Sequence, residues 1–318
     1  MAATRFVPHL ACVLGLALLT SACAEPAEPE DPAPAAPTPE ATSLLGEPLL
    51  PPQVSDEARA QMEDQLAEAR AAWEANPDDT DAIIWLGRRT AYLGRYRDAI
   101  DIYSAGITRY PDDARFYRHR GHRYISVREF DLAIEDLERA ASLIEGTENQ
   151  VEPDGQPNAR GIPTSSLHSN IYYHLALARY LTGDYSAAAD AWALARAAVD
   201  NPDNLVAASH WLYLSLRRAG RDDEAAAVLD RISADLDVIE NTSYHSLLLM
   251  YKGERDPEAL LSGAVEGASG SAVVYGVSAW FLLEDREAEA VEIWTRMVGQ
   301  PDWASFGHIA AEAELARR

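Results

Sequence analysis

The segment GRYRDAIDIYSAG, residues 94–106, and its partial copy REFDLAIEDLERA, residues 128–140, decide the fold of this chain. Each copy starts at a turn-like residue, carries a small residue at the same place, Ala99 or Ala133, and has a large apolar residue four positions later. The two alanines are 34 residues apart. Looser copies with the same spacing of small and large residues lie at 183–195, 220–232 and 285–297. The chain therefore repeats a helical unit, and such units stack because one alone cannot bury its apolar face.

Each of the first two copies follows another helical pattern, IIWLGRRTAYLG at 83–94 and FYRHRGHRYI at 116–125. Together the two patterns form a helix–turn–helix unit that resembles the tetratricopeptide repeat (TPR). The matching positions are Leu86, Gly87, Gly94, Tyr96, Ala99, Tyr103 and Pro111 in the first repeat and Tyr117, Gly121, Tyr124, Phe130, Ala133, Leu137 and Ala140 in the second. Thr90 and Arg120 depart from the pattern. The resemblance implies an all-α, right-handed helix-turn-helix solenoid of about five to six repeats.

Residues 55–318 are predicted to form this solenoid, with a capping helix at each end. Ser55 fits the N-cap of the first capping helix, and ASFGHIAAEAELARR, residues 304–318, is typical of the second. The stretch EGTENQVEPDGQPNARGIPTSSLHS, residues 145–169, separates two repeats by more than an ordinary turn. A loop of this length is either functional or a solvated excursion, and it could fold over the groove beside the basic helix.

The N-terminal part lacks the repeat. Residues 1–22 contain a short apolar run that leads into LTSAC, and they resemble a bacterial lipoprotein signal peptide in which Cys23 becomes the lipidated first residue. Thr20 stands where that motif usually has leucine, and the alternatives are an ordinary signal peptide or an uncleaved anchor. Residues 23–54 are rich in proline, alanine and glutamate, which predicts a disordered tether. The expected location is the bacterial cell envelope, lipid-anchored and facing the periplasm, at the outer rather than the inner membrane.

Charge and motif content exclude several functions. The chain has 51 acidic and 27 basic residues, a formal net charge of −24, which disfavours binding to nucleic acid. Both cysteines lie near the N-terminus, so the repeats hold no disulfide or catalytic thiol. The sequence has no phosphate-binding glycine loop or hydrolase motif, and its histidines do not have the spacing of a compact metal site. We therefore expect no metal, no cofactor and no enzymatic activity.

One segment contrasts with this acidic composition. RFYRHRGHRYI, residues 115–125, holds four arginines and two histidines and no acid. At 100° per residue, most of them fall opposite the packing face formed by Tyr117, Gly121 and Tyr124. In the TPR family the first helix of each repeat lines the concave surface, so these side chains are expected to point into a groove. With the same register in neighbouring repeats, the predicted groove contains Trp85, Arg88, Tyr92, Arg115, Arg118, His119, His122, Tyr173, His174, His210, Trp211 and Arg218.

Such a groove favours a protein or peptide partner with an acidic or carboxylate-bearing segment, since arginine pairs with carboxylates and aromatic rings add apolar contact. The chain is accordingly predicted to be a membrane-tethered scaffold. One alternative is a receptor that encloses a small anionic ligand between the groove and residues 145–169. Others are an enzyme that uses the same side chains, or plain packing and neutralisation of nearby acids. Protonation of the histidines below about pH 6.5 is expected to strengthen anion binding.

Overall fold

The computed structural model describes residues 38–264 and 267–318, together with Met1 and Ala2. The chain divides into Met1–Ala36 and Pro37–Arg318, and the architecture below is that of the second unit. Cys23 and nearly all of the predicted signal peptide lie outside the described residues, so lipidation stays a prediction.

Helices account for most of the described chain. Those in residues 38–264 and 267–318 are α1 (Asp56–Ala75), α2 (Thr80–Tyr92), α3 (Tyr96–Arg109), α4 (Ala114–Ser126), α5 (Phe130–Leu143), α6 (Leu167–Thr182), α7 (Tyr185–Ala198), α8 (Pro202–Arg218), α9 (Asp222–Val228), α10 (Thr242–Tyr251), α11 (Pro257–Ser262), α12 (Ala268–Leu283), α13 (Glu287–Met297) and α14 (Phe306–Ala316). A 3₁₀ turn, Leu229–Arg231, follows α9. Two short strands, β1 (Ala41–Thr42) and β2 (Pro48–Leu49), precede α1.

The helices pack as consecutive hairpins, α2 with α3, α4 with α5, α6 with α7, α8 with α9 and α12 with α13. The first helices of successive hairpins also contact one another, from α2 through α4 and α6 to α8. Each of α3, α5 and α7 packs against the first helix of the next hairpin as well as its own. Between α8 and α12 the unit is degenerate, because α10 packs on both of them and the short α11 packs on α12. This arrangement confirms the predicted all-α, TPR-like solenoid.

Small residues on the first helices face large residues on the second ones, as the repeat pattern predicts. A Cβ atom added to Gly87 would lie 2.4 Å from the ring of Tyr103, and one added to Gly121 would lie 2.7 Å from Cγ of Leu137. Ala99 and Ala133 are completely buried. The close approach of the paired helices therefore depends on these small side chains.

The two ends of the solenoid differ. Ser55 caps α1 as expected, since its side chain accepts a hydrogen bond from the N–H of Ala58. The C-terminal helix α14 packs on α12 and α13 but also contacts α6 in the middle of the chain. Its Glu312 forms a buried ion pair with Arg128, between α4 and α5, at 2.7 Å. The C-terminal segment thus folds back onto the early repeats and does more than cap the last one.

The predicted tether is wrong for its last part. Ala41–Thr42 pairs with Pro48–Leu49 in an antiparallel hairpin, and Ala41 and Leu49 are buried against the first repeat. The N–H of Leu44 donates to Glu312 Oε1 at 2.6 Å, and Trp303 Nε1 donates to the carbonyl of Leu50 at 2.7 Å. Apolar burial and these long-range hydrogen bonds hold the segment on the helices, so the folded unit begins before residue 41 and not at residue 55.

In the described part of the chain, every helix is too short or too polar to span a lipid bilayer.

Candidate binding site under the insertion loop

The side of α2, α4, α6 and α8 that faces the insertion between α5 and α6 is called the inner face, and it carries part of the predicted groove. Five of the predicted groove residues line a common polar cavity of about 290 Å³: Arg88, Arg118, His122, Tyr173 and His174. Polar side chains from α6 and α8, including Ser169, Asn170 and Asn204, complete its floor. These five side chains, which the helical register predicted to point the same way, thus lie together at one cavity, and their role in binding stays a prediction.

The cavity is roofed by the chain itself. The segment between α5 and α6, residues 144–166, is the insertion loop, and Glu152, Pro153 and Asp154 of this loop line the cavity. Glu152 Oε1 lies 2.9 Å from Arg118 Nη2, and the two side chains are about nine-tenths buried. Arg88 Nη1 donates to the carbonyl of Pro153 at 2.7 Å. The insertion loop thus folds over the inner face, as one reading of the sequence expected.

Two further contacts hold this part of the loop. Arg89 Nη1 donates to the carbonyl of Gly155 at 3.2 Å. Gly155 is buried against Tyr92, since a Cβ at that position would lie 2.1 Å from the Tyr92 hydroxyl. The cationic and aromatic side chains of α2 therefore contact the main chain of the loop.

The far end of the loop is held by the later repeats. Arg160 pairs with Asp237 at 2.8 Å on the surface. Thr164 Oγ1 donates to Glu240 Oε2 at 3.2 Å, and Asn201 Nδ2 donates to the carbonyl of Thr164 at 3.0 Å. The loop therefore spans the inner face from α2 to the segment before α10.

The C-terminal segment occupies another part of the inner face. The ring of Phe306, at the start of α14, lies 5.5 Å from the ring of His122 and 5.8 Å from that of His174. The two histidine rings are themselves 4.3 Å apart. The predicted groove is therefore not open along its length, because the insertion loop and the start of α14 cover parts of it.

Other predicted groove residues have structural partners. Arg115 pairs with Asp113 and Asp81 at the edge of the repeats. Arg218 pairs with Glu314 at 2.7 Å. These arginines neutralise acids, which is the alternative that the sequence left open for each residue.

The remaining predicted residues are packing groups or lie near the loop. Trp211 is completely buried between the rings of Trp192 and Tyr275. His210 is completely buried too and stacks on Tyr244. Trp85 stacks under the guanidinium of Arg88 at 4.3 Å and stays partly exposed. His210 and Trp211 are thus unavailable to a partner.

The surroundings of the inner-face histidines oppose their protonation. Burial and the charge of Arg118 hold the pKa of His119 well below its usual range. Burial and Arg123 lower the pKa of His122 in the same way, and burial and Arg118 lower that of His174. Burial and the neighbouring arginines therefore favour the neutral imidazoles, which runs against the expectation that their protonation strengthens anion binding below about pH 6.5.

The buried pair between loop and inner face is only half satisfied. Arg118 Nε and Glu152 Oε2 are buried and have no hydrogen-bond partner among the described residues. An arginine side chain can offer Nε and Nη2 together to one carboxylate, and such paired hydrogen bonds are stronger than a single one. The loop carboxylate instead forms an ion pair with Nη2 alone.

Sequence reasoning missed Glu152, Arg89 and Phe306 as components of the site. Glu152 and Phe306 belong to segments that the repeat pattern does not cover, and Arg89 lies on a flank of α2. One signal was present for Glu152, because VEPDG at 151–155 is an acidic, proline-containing motif next to the basic helix. No comparable signal marked Phe306, since its partners are more than a hundred residues earlier in the chain.

In the described residues, no three histidine, cysteine or acidic side chains are grouped closely enough to hold a metal ion.

No protein-family model matches this chain, and a search of curated proteins finds no match. Among solved structures it is similar to YrrB, a TPR protein with an unusual peptide-binding site, at 15% identity and a TM-score of 0.42, over 76% of this chain and 95% of that one. It is also similar to Naa15/Naa10 bound to HypK-THB, at 17% identity and a TM-score of 0.36, over 80% of this chain and 37% of that one. A third similar structure is the TPR domain of P58(IPK), at 14% identity and a TM-score of 0.26, over 82% of this chain and 94% of that one. With TM-scores this low, the fold assignment rests on the helix packing of the chain itself.

Proposed function

We propose that the chain is a non-catalytic, TPR-like scaffold whose inner face binds an acidic segment of a partner protein. One observation carries the proposal: this face already holds an acidic, non-helical segment, residues 152–155 of the insertion loop. Arg118 contacts the carboxylate of Glu152, while Arg88 and Arg89 donate to main-chain carbonyls. A face that contacts one carboxylate and two carbonyls of the same short segment suits a peptide, whose main chain offers the same groups.

The charge distribution supports an acidic partner. The chain as a whole carries a formal net charge of −24, which repels acidic proteins at long range. The inner face carries Arg88 and Arg118, and of these two only Arg118 pairs with an acid among the described residues. A partner carboxylate would therefore find uncompensated guanidinium groups once the loop moves aside.

We further propose that Cys23 is lipidated and that the chain faces the periplasm from the outer membrane. The proposal is supported by the LTSAC sequence, with residues 23–40 as the tether between lipid and folded unit. Its test is the mass of the mature N-terminus in membrane fractions from wild type and from Cys23→Ser. Loss of the lipid adduct and of membrane association is expected in the variant. An unmodified wild-type N-terminus would refute this proposal.

The partner is tested by photo-cross-linking in native envelopes. A benzoylphenylalanine in place of Tyr92 keeps an aromatic ring on the inner face, where the loop now lies. The same group in place of Leu132, which is exposed on α5, is the matched control. The expected result is one intermolecular product from position 92 that is absent from position 132. Identical products from both positions, or none from position 92, would contradict the proposed role of the inner face.

A small ligand is the second candidate, because the cavity of about 290 Å³ is close to the size of a metabolite site. Arg88 and Arg118 line it, but so do the carboxylates of Glu152, Asp154 and Glu240. These acids disfavour a multiply charged anion, which is why a peptide is preferred. A thermal-shift screen against small carboxylates and phosphates tests this candidate. A shift that is lost in Arg88→Gln would favour the small ligand over the peptide.

A further inference from the structure

The inner face contacts three of the four loop residues 152–155, each in a different way, and this defines a sequence preference. Resting on the proposed function, we infer that the partner segment carries the pattern Glu-Pro-any residue-Gly, and that residues 152–155 occupy the site as an internal copy of it. The four positions are argued in turn below, each from contacts of Glu152, Pro153, Asp154 or Gly155.

The first position selects glutamate. Glu152 reaches Arg118 Nη2 at 2.9 Å and lies 3.8 Å from Nε2 of His119, with its side chain only 10% exposed. A buried guanidinium without a carboxylate is strongly unfavourable, because its charge is then uncompensated away from water. Glutamine offers no charge at this place, and aspartate is shorter by one methylene group. Glutamate is therefore the residue that the pocket fits.

The second position suits proline. The carbonyl of Pro153 accepts a hydrogen bond from Arg88 at 2.7 Å. Proline has no N–H that would need a partner at the roof of the cavity, and its fixed φ angle lowers the entropy lost when a free segment binds. Pro153 is exposed, so its contribution is conformational rather than a packed contact.

The third position is not selected. Asp154 is exposed, and its Oδ1 accepts a hydrogen bond from the N–H of Gln156, within the loop itself. The face makes no hydrogen bond or ion pair with this side chain among the described residues. Another polar residue should serve equally well there.

The fourth position selects glycine. Gly155 is buried under Tyr92, and an added Cβ would lie 2.1 Å from the Tyr92 hydroxyl. Its carbonyl accepts from Arg89 at 3.2 Å, so the main chain cannot move away without losing that hydrogen bond. Alanine would force either the ring or the peptide out of place.

A partner can replace the loop because the internal fit is incomplete. Arg118 Nε and Glu152 Oε2 stay without partners, while the loop is fixed on one side by the bridge between Val151 and Ser166 and on the other by contacts of Arg160. A free peptide lacks these restraints and can take the paired arrangement on Arg118. The tethered loop acts as a competitor at an effective concentration on the order of millimolar. Its removal should therefore strengthen binding of an added peptide.

The test uses the full chain and a labelled peptide, NQVEPDGQPN, which copies residues 149–158. Fluorescence anisotropy compares wild type with a variant in which residues 152–155 are replaced by serine and glycine. We expect Kd to be at least tenfold lower for the variant. In the peptide, glutamine for glutamate, or alanine for the glycine, should raise Kd tenfold or more. Serine for the aspartate is the matched control and should change Kd less than twofold.

Circular dichroism melting verifies that the variant with residues 152–155 replaced is folded. If that variant does not fold, the full chain with Glu152→Gln takes its place in the binding assay. Equal binding of all peptides would overturn the inferred pattern, and so would absence of binding to both receptors. In either case a cross-linked partner at position 92 would leave the proposed function standing. Absence of both peptide binding and cross-linking would overturn the two together.

Discussion

Acidification should destabilise the fold through His210, a buried histidine on α8. Its side chain is completely buried, its Nδ1 lies 3.1 Å from the Tyr251 hydroxyl, and its Nε2 has no partner among the described residues. Burial lowers the pKa of His210 from 6.5 to about 3. The folded chain therefore keeps this imidazole neutral at pH values where the unfolded chain protonates it.

The sign and size follow from this pKa difference. Between about pH 6.5 and about pH 3 the unfolded state binds one more proton at His210 than the folded state does, so stability falls as the pH falls through this window. Each pH unit corresponds to about 1.4 kcal/mol. At pH 5, about 1.5 units below the unfolded pKa, His210 alone should lower the free energy of unfolding by about 2 kcal/mol.

Urea unfolding followed by tryptophan fluorescence at several pH values measures this loss. His210→Phe keeps an aromatic ring but cannot protonate, so the free energy of unfolding of this variant should fall less steeply with falling pH. Between pH 5.5 and 4.5 its slope should be smaller than that of wild type by about 1.4 kcal/mol per pH unit. His168→Gln is the matched control, because His168 is partly exposed and its removal should change the slope less. Parallel pH dependences for wild type and His210→Phe would show that His210 is not held neutral.

Three further outcomes are expected. Glu312→Gln leaves the guanidinium of Arg128 buried without a counter-charge and should cost about 3–5 kcal/mol in urea unfolding; a loss below 1 kcal/mol would contradict the role of this pair. Gly121→Ala places a methyl group against Leu137 of the facing helix and should cost about 1–3 kcal/mol in the same assay. An unchanged free energy of unfolding would show that the two helices can move apart without cost. Glu152→Gln should loosen the insertion loop, so that trypsin cleaves after Arg160 several-fold faster than in wild type, and an unchanged rate would mean that Arg118 does not hold the loop.

The repeat could be predicted because its signal is local. The spacing of Ala99 and Tyr103 on one helix, and Gly87 on the helix before, encodes a contact within one hairpin. The inward direction of Arg118 and His122 followed from helical geometry in the same way. These inferences need only the positions of neighbouring residues along about one repeat.

The contents of the hollow could not be predicted, because they come from distant parts of the chain. Phe306 packs on His122 and His174 across more than a hundred residues, and no periodicity connects them. The sequence assigned 304–318 to an ordinary cap and 41–50 to a tether, since neither segment belongs to a repeat. The helical register therefore predicted that these side chains point inward, but not that distant parts of the chain cover them.

Arg128 shows how a local exception can reveal such a distant contact. The turn between the paired helices needs a positive φ angle, and glycine supplies it at Gly94, Gly183 and Gly220. Arg128 takes the same conformation, with φ of 67°, at a cost on the order of 1–2 kcal/mol for a residue with a side chain. The offsetting contact is its buried pair with Glu312, in a helix that begins 178 residues later at Phe306. Asp285 takes φ of 60° at the equivalent place before α13 and has no ion pair among the described residues, so the distant acid is the particular contact that offsets the strain at Arg128.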